Sequence, residues 1–151
     1  TGFQLQIQQA FTDLPNGTHL DFQQGRRVPP GNLDRWTTYC RLYVYNRSRG
    51  PDYVTSIMPG SFQVSAVDIG YRSSDYPSRP GAFGHLSWGV RDDPAYYLYH
   101  VEMRLTSPDQ PDLRSLNCYK KWATPRAYQH PTLAEIRTAL GDGFKLLPTA
   151  P

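Results

Sequence analysis

Alternation with a period of two is the feature that most limits what this chain can fold into. Between Trp36 and Tyr45, the residues Trp36, Thr38, Cys40, Leu42 and Val44 share one face, and Thr37, Tyr39, Arg41, Tyr43 and Tyr45 share the other. Successive side chains of a strand point to opposite sides, so this pattern belongs to a sheet with one face on a core. Phe3, Leu5 and Ile7 alternate with Gln4, Gln6 and Gln8 in the same way, and Tyr97, Tyr99, Val101, Met103 and Leu105 alternate with Leu98, His100, Glu102, Arg104 and Thr106. Shorter segments fit the same rhythm: Thr18 to Gln24 with Leu20 and Phe22 inward, Tyr53 to Met58, and Leu113 to Tyr119. A longer one, Ser61 to Tyr71, carries Phe62 and Val64, and its pattern then shifts to Val67 and Ile69, where a bulge is expected.

Turn residues separate these segments. Leu14-Pro15-Asn16-Gly17 is expected to join the first two strands, 3–7 and 18–24, as a hairpin. Arg26 to Asn32, with Pro29, Pro30 and Gly31, reads as a loop that holds no ladder. The 12 Gly and 14 Pro among 151 residues keep long helices out. One helix is expected, late in the chain, where Thr132-Leu-Ala-Glu135 forms a capping box. Leu133, Ile136 and Leu140 would be its buried stripe, Arg137 its solvated side, and Gly141 or Gly143 its stop. Phe144 to Leu147 adds a last strand. The length fits a single domain over 1–151. Its expected class is mostly β with a minor α+β character: an antiparallel β-sandwich or open barrel with one C-terminal helix. The Gly-, Pro- and Ser-rich residues 70–94 are expected to form a long loop.

Leu, Ile, Val and Phe together number only 31, but 11 Tyr and 3 Trp add core-forming surface and the net charge is just +3, so a folded chain is expected. Of the 16 basic residues 13 are Arg, and they are scattered rather than gathered into the stripe a nucleic-acid binder shows. No nucleic-acid partner is expected. No run approaches the 18 apolar residues of a membrane span. The chain starts at Thr1, which fits removal of a secretory signal, with a lipid-bearing Cys upstream as a possible anchor. Cys40 and Cys118, 78 positions apart, match no zinc or C-x-x-C spacing, and each lies in a strand-like run. A disulfide between them is expected, with two free buried thiols as the alternative. Closing a loop of that length is worth about 4–5 kcal/mol on the chain-entropy account.

Catalytic patterns are hard to find. Glu102 and Glu135 are the only glutamates, and Asp92-Asp93 lie side by side, so no pair of carboxylates on facing elements is nominated. His19, His85, His100 and His130 form no metal-ligand motif. Gly70-Tyr-Arg-Ser73 lacks the glycine a nucleophile elbow needs, and Gly81, Gly84 and Gly89 precede no helix. Neither a catalytic residue, a metal ligand nor a cofactor is therefore nominated. What stands out is an Arg and aromatic surface. Arg41, Tyr43 and Tyr45 project from the non-core face of their strand, and Tyr71, Arg72, Tyr76, Arg79, Phe83, Trp88 and Arg91 crowd the long loop. Such residues are enriched at binding hot spots, and rings of this kind also stack on sugars. The competing reading of the strand tyrosines is cross-strand packing on an outer face.

Several segments together resemble a group of small exported proteobacterial proteins of unknown function, many of them lipoproteins. They are the Gln-alternating strand before Pro-Asn-Gly, Phe22-Gln-Gln-Gly25, Asp34 followed by Cys40-Arg-Leu-Tyr-Val44, Met58-Pro-Gly-Ser-Phe62-Gln-Val64, Leu116-Asn-Cys118, and Pro131-Thr-Leu-Ala-Glu-Ile136 running to Gly141. The resemblance implies export, a Cys40–Cys118 disulfide and a β-rich domain, and carries no activity or site. The expected function is that of a periplasmic or outer-membrane-associated accessory module that contacts another envelope protein. The alternatives are a small-ligand or glycan binder, and a hydrolase with an unrecognised Asp/His site.

Overall fold

A computed structural model describes residues 2–73, 96–123 and 130–150. The strands are β1 (Phe3–Ile7), β2 (Phe11–Pro15), β3 (His19–Gln23), β4 (Arg26–Arg27), β5 (Tyr39–Val44), β6 (Val54–Ile57), β7 (Gly60–Ser73), β8 (Tyr97–Thr106), β9 (Leu113–Trp122) and β10 (Phe144–Pro148), with one α-helix, α1 (Leu133–Leu140). Eight strands form one antiparallel sheet in the order β10-β1-β7-β8-β9-β5-β3-β4, while β2 and β6 pair separately. The helix packs against β3 and β5 near one end of the sheet and against β10 at the other. The sheet therefore curls around the helix as a half-barrel, mostly β as the alternation predicts.

The register across the sheet explains which side chains face inward. Leu20, Leu42, Leu116 and Met103 stand opposite one another on successive strands, and Phe22, Cys40, Cys118 and Val101 make the next row. All eight are buried. Cys40 and Cys118 are bonded as a disulfide with their Cα atoms 4.0 Å apart, inside the core. Phe22 lies edge-on to Phe144 at 4.8 Å and to Phe11 at 5.7 Å, joining β2, β3 and β10 through aromatic contact.

The expected first hairpin does not form. Strand β1 pairs with β10 and β7, and β3 pairs with β5 and β4. The Asn16-Gly17 turn, with φ +85 at Gly17, instead joins β3 to β2, which is a strand in its own right paired with β6. Alternation reports which way a side chain points and carries no information about which strand lies beside it. Two smaller differences share that cause. Arg26–Arg27 holds a short ladder against Phe22 and Gln23, with only Val28 onward behaving as loop, and β7 continues as strand to Ser73. Strand β5 begins at Tyr39, so Trp36 is 51% exposed rather than part of the core face, while Tyr39 is buried on the opposite side.

At α1 the capping box is complete: the Thr132 hydroxyl accepts from the Glu135 amide, and the Glu135 carboxylate accepts from the Thr132 amide. Ile136, Ala139 and Leu140 are buried, whereas Leu133, expected in that stripe, is 36% exposed. Gly141, at φ +74, ends the helix against the turn at Gly25. A Cβ at Gly141 would stand 2.5 Å from the Gly25 Cα, so no other residue fits there. At the opposite end of the half-barrel buried Asp112 ties the small sheet to β9, accepting from Asn46 Nδ2, the Tyr53 hydroxyl and the Thr55 hydroxyl at 2.7, 2.9 and 2.6 Å. Burial works against this carboxylate's charge, but the three donors outweigh it and hold its pKa below the ordinary value.

Candidate binding surface

Arg41 and Tyr43 lie on the convex face of β5, as their alternation requires, but both are engaged within the fold. The Arg41 guanidinium donates to Asp21 at 2.6 and 3.2 Å, and the Asp21 side chain is 0% exposed. Burial disfavours the Arg41 charge, yet the bonds to Asp21 raise its pKa above the usual range. Tyr43 lies against the His19 ring at 5.8 Å and near Tyr119, whose pKa is pushed up to about 12 by burial first and by hydrogen bonding with Tyr43 second. Tyr39 stacks on Tyr119 at 5.2 Å. The convex face at β5 is thus a packed polar and aromatic layer, the cross-strand alternative weighed above. Tyr45, just past the end of β5, is 44% exposed. Tyr76, Arg79, Phe83, Trp88 and Arg91 fall outside the described residues.

A second surface lies on β7, where the sequence singled out only Tyr71 and Arg72, expected in the loop and found instead on the strand. That strand pairs with β1 only over Gly60–Gln63, and the register slips between Val64 and Ala66, so the expected bulge is present at Ser65. Beyond the bulge β7 follows β8 away from β1. Among the described residues, no strand pairs with its other edge from Ala66 to Ser73. On the concave side of this stretch Val67, Ile69 and Tyr71 are 52, 54 and 61% exposed. Tyr71 stacks on Tyr99 at 5.3 Å, and the aliphatic residues open into an apolar crevice of about 190 Å³ bounded by Met103, Pro131, Leu133 and Ile136.

Which backbone groups face that open edge follows from the disulfide row. The close approach of the Cys40 and Cys118 Cα atoms marks a non-hydrogen-bonded antiparallel pair. In antiparallel strands each residue directs both its N–H and its C=O to one side, alternating along the strand. Cys118 therefore bonds Val101, Val101 turns away from Ile69, and Ile69 directs its N–H and C=O outward. By the same alternation Val67 and Tyr71 do likewise. Among the described residues, the open edge thus presents three residues whose outward peptide groups meet no paired strand and whose apolar side chains are exposed.

Two further hollows lie beside the helix. One of about 850 Å³ lies at the helix C-terminus among Gln24, Arg26, Arg137, Asp142 and Lys145. Another, of about 300 Å³, lies between Trp36, Lys120 and Glu135; at its edge the buried Thr38 hydroxyl has no hydrogen-bond partner among the described residues. Lys120 bonds Glu135 at 2.5 Å. Among the described residues no three His, Cys, Asp or Glu side chains converge as metal ligands, and no helix is long and apolar enough to cross a membrane. Comparisons with family models, curated proteins and solved structures give no match to this chain.

Proposed function

We propose that this chain is an exported protein of the bacterial envelope, periplasmic or lipid-anchored, that serves as a protein-interaction module through the open edge of β7. One observation carries the reading: three consecutive edge-facing residues, Val67, Ile69 and Tyr71, combine exposed apolar side chains with backbone groups to which no strand among the described residues pairs. Monomeric proteins commonly blunt such edges, and an extended partner segment can add to one as a further strand. A long-range disulfide supports an oxidising compartment. At the β7 stripe itself a small ligand is less well supported than a protein segment, because the apolar crevice there, at about 190 Å³, is below the roughly 300–1,000 Å³ of drug-sized ligand sites.

Two measurements test this reading. Cell fractionation with alkylation before and after reduction should place the chain in the envelope fraction with no free thiol; a cytosolic chain with two alkylated cysteines refutes export. Ile69→p-benzoylphenylalanine, irradiated in intact cells, should give a discrete protein adduct that the same residue at exposed Arg104 on the convex face does not. Equal labelling, or none at either position, overturns the interaction surface.

A further inference from the structure

The β7 edge is complementary to itself. We propose that its occupant is β7 of a second copy of this chain, added antiparallel so that two half-barrels share one continuous sheet across a two-fold axis at Gly70. This rests on the interaction reading above and names the partner.

Residues directly opposite in an antiparallel pair lie on the same face, so a two-fold pairing that keeps the apolar stripe on one side must be centred on a residue. Centring on Asp68 sets it against the partner's Asp68. Centring on Ile69 sets Asp68 against the partner's Gly70 and Arg72 against the partner's Ala66, while centring on Tyr71 sets Arg72 against the partner's Gly70. Centring on Gly70 places Asp68 opposite the partner's Arg72, and Arg72 opposite the partner's Asp68. In that register Ile69 also stands opposite the partner's Tyr71, and the two exchange the backbone bonds they direct outward. Charge pairing and apolar pairing therefore select the same register.

The protomer by itself leaves this charge pattern unresolved. Asp68 stands directly opposite Glu102, a like charge, and among the described residues neither Asp68 nor Arg72 enters an ion pair. An edge guarded by one sign of charge repels its own copy, whereas opposite signs placed symmetrically about Gly70 attract it. At the axis itself Gly70 brings no side chain. Its missing Cβ leaves room for the His100 ring, whose Cε1 would stand 2.9 Å from that atom. The outer strands of the large sheet suit pairing less, since β4 has two residues and β10 ends in Pro148. The product is a closed isologous dimer, which stops at two copies.

Sedimentation equilibrium of the full chain with its disulfide intact tests this. The expected result is a reversible monomer–dimer equilibrium. Asp68→Arg, which sets two cations against each other at both symmetric sites, should weaken it about tenfold. The double exchange Asp68→Arg with Arg72→Asp should restore the wild-type constant. Both positions are exposed, and near-ultraviolet circular dichroism checks that each variant is folded; Ile69→Lys should give the same loss as the single exchange by a different route. A chain monomeric to millimolar concentration, or a dimer indifferent to all three variants, overturns the proposal. Monomeric behaviour together with a cross-link from position 69 to a different protein overturns self-pairing while the interaction reading stands.

Discussion

One row of side chains crosses the half-barrel from a closed end to an open one. It runs through Phe22, Cys40, Cys118, Val101 and Ile69, which are 1, 0, 0, 4 and 54% exposed. The chemistry barely changes along the row while the surroundings do. At the closed end the helix lies across β3 and β5, a disulfide joins neighbouring strands, and Asp21 and Arg41 tie the convex face behind it. At the open end the strand has, among the described residues, a paired neighbour on one side only. Apolar residues of the same pattern thus form buried framework in one half and an exposed stripe in the other.

Breaking the closed half should cost most at the disulfide. Replacing both cysteines by Ala is expected to remove about 4–5 kcal/mol, read as a lower urea midpoint; an unchanged midpoint would remove the disulfide from the framework. Next comes Asp21→Asn, which leaves the half-buried Arg41 without its counter-charge and should cost about 3 kcal/mol. A loss within the range of a surface substitution would mean the convex layer is incidental.

Acid should act on the closed half as well. The Asp112 carboxyl is held below its ordinary pKa by its three donors against the opposing effect of burial. Glu135 is lowered by its bond from Lys120 and the Thr132 amide, again against burial. In both cases the unfolded state takes up protons first, so this stability is complete above the unfolded carboxyl range near pH 4 and is lost as pH falls through the folded values. Unfolding free energy should decline from about pH 5 downward, and the decline should be shallower in Asp112→Asn. Thr132→Ala removes one half of the capping box and should cost about 1 kcal/mol. Smallest of all is Ile69→Ser, expected within about 0.5 kcal/mol of wild type because the site is exposed. A cost near that of a core truncation would show Ile69 to be covered.

The difference between the halves also separates what was legible in the sequence from what was not. Strands β5, β8 and β9, the bulge in β7, the capping box and the cysteine pairing could all be read, because each is set by local spacing or by one long-range pair of inward residues. Pairing partners could not. Phe3–Ile7 and Thr18–Gln24 look like a hairpin only if nearest neighbours pair, and β1 lies instead beside β7 and β10. At the nominated surface, alternation placed Arg41 and Tyr43 outward correctly. Asp21 lies between inward Leu20 and Phe22, which was the available sign that a carboxylate shares their face. The aliphatic part of the β7 stripe escaped notice for the opposite reason. Val67 and Ile69 have the period of a buried face, and period alone does not tell a covered face from an open one.

Amide hydrogen exchange along β7, resolved residue by residue and followed from low to high protein concentration, tests the central claim most directly. At low concentration the amides of Val67, Ile69 and Tyr71 should exchange fast while those of Asp68, Gly70 and Arg72, bonded to β8, are slow; at high concentration the fast set should become protected. Uniform protection of all six at low concentration would show that the edge is already covered within one chain and would contradict the account.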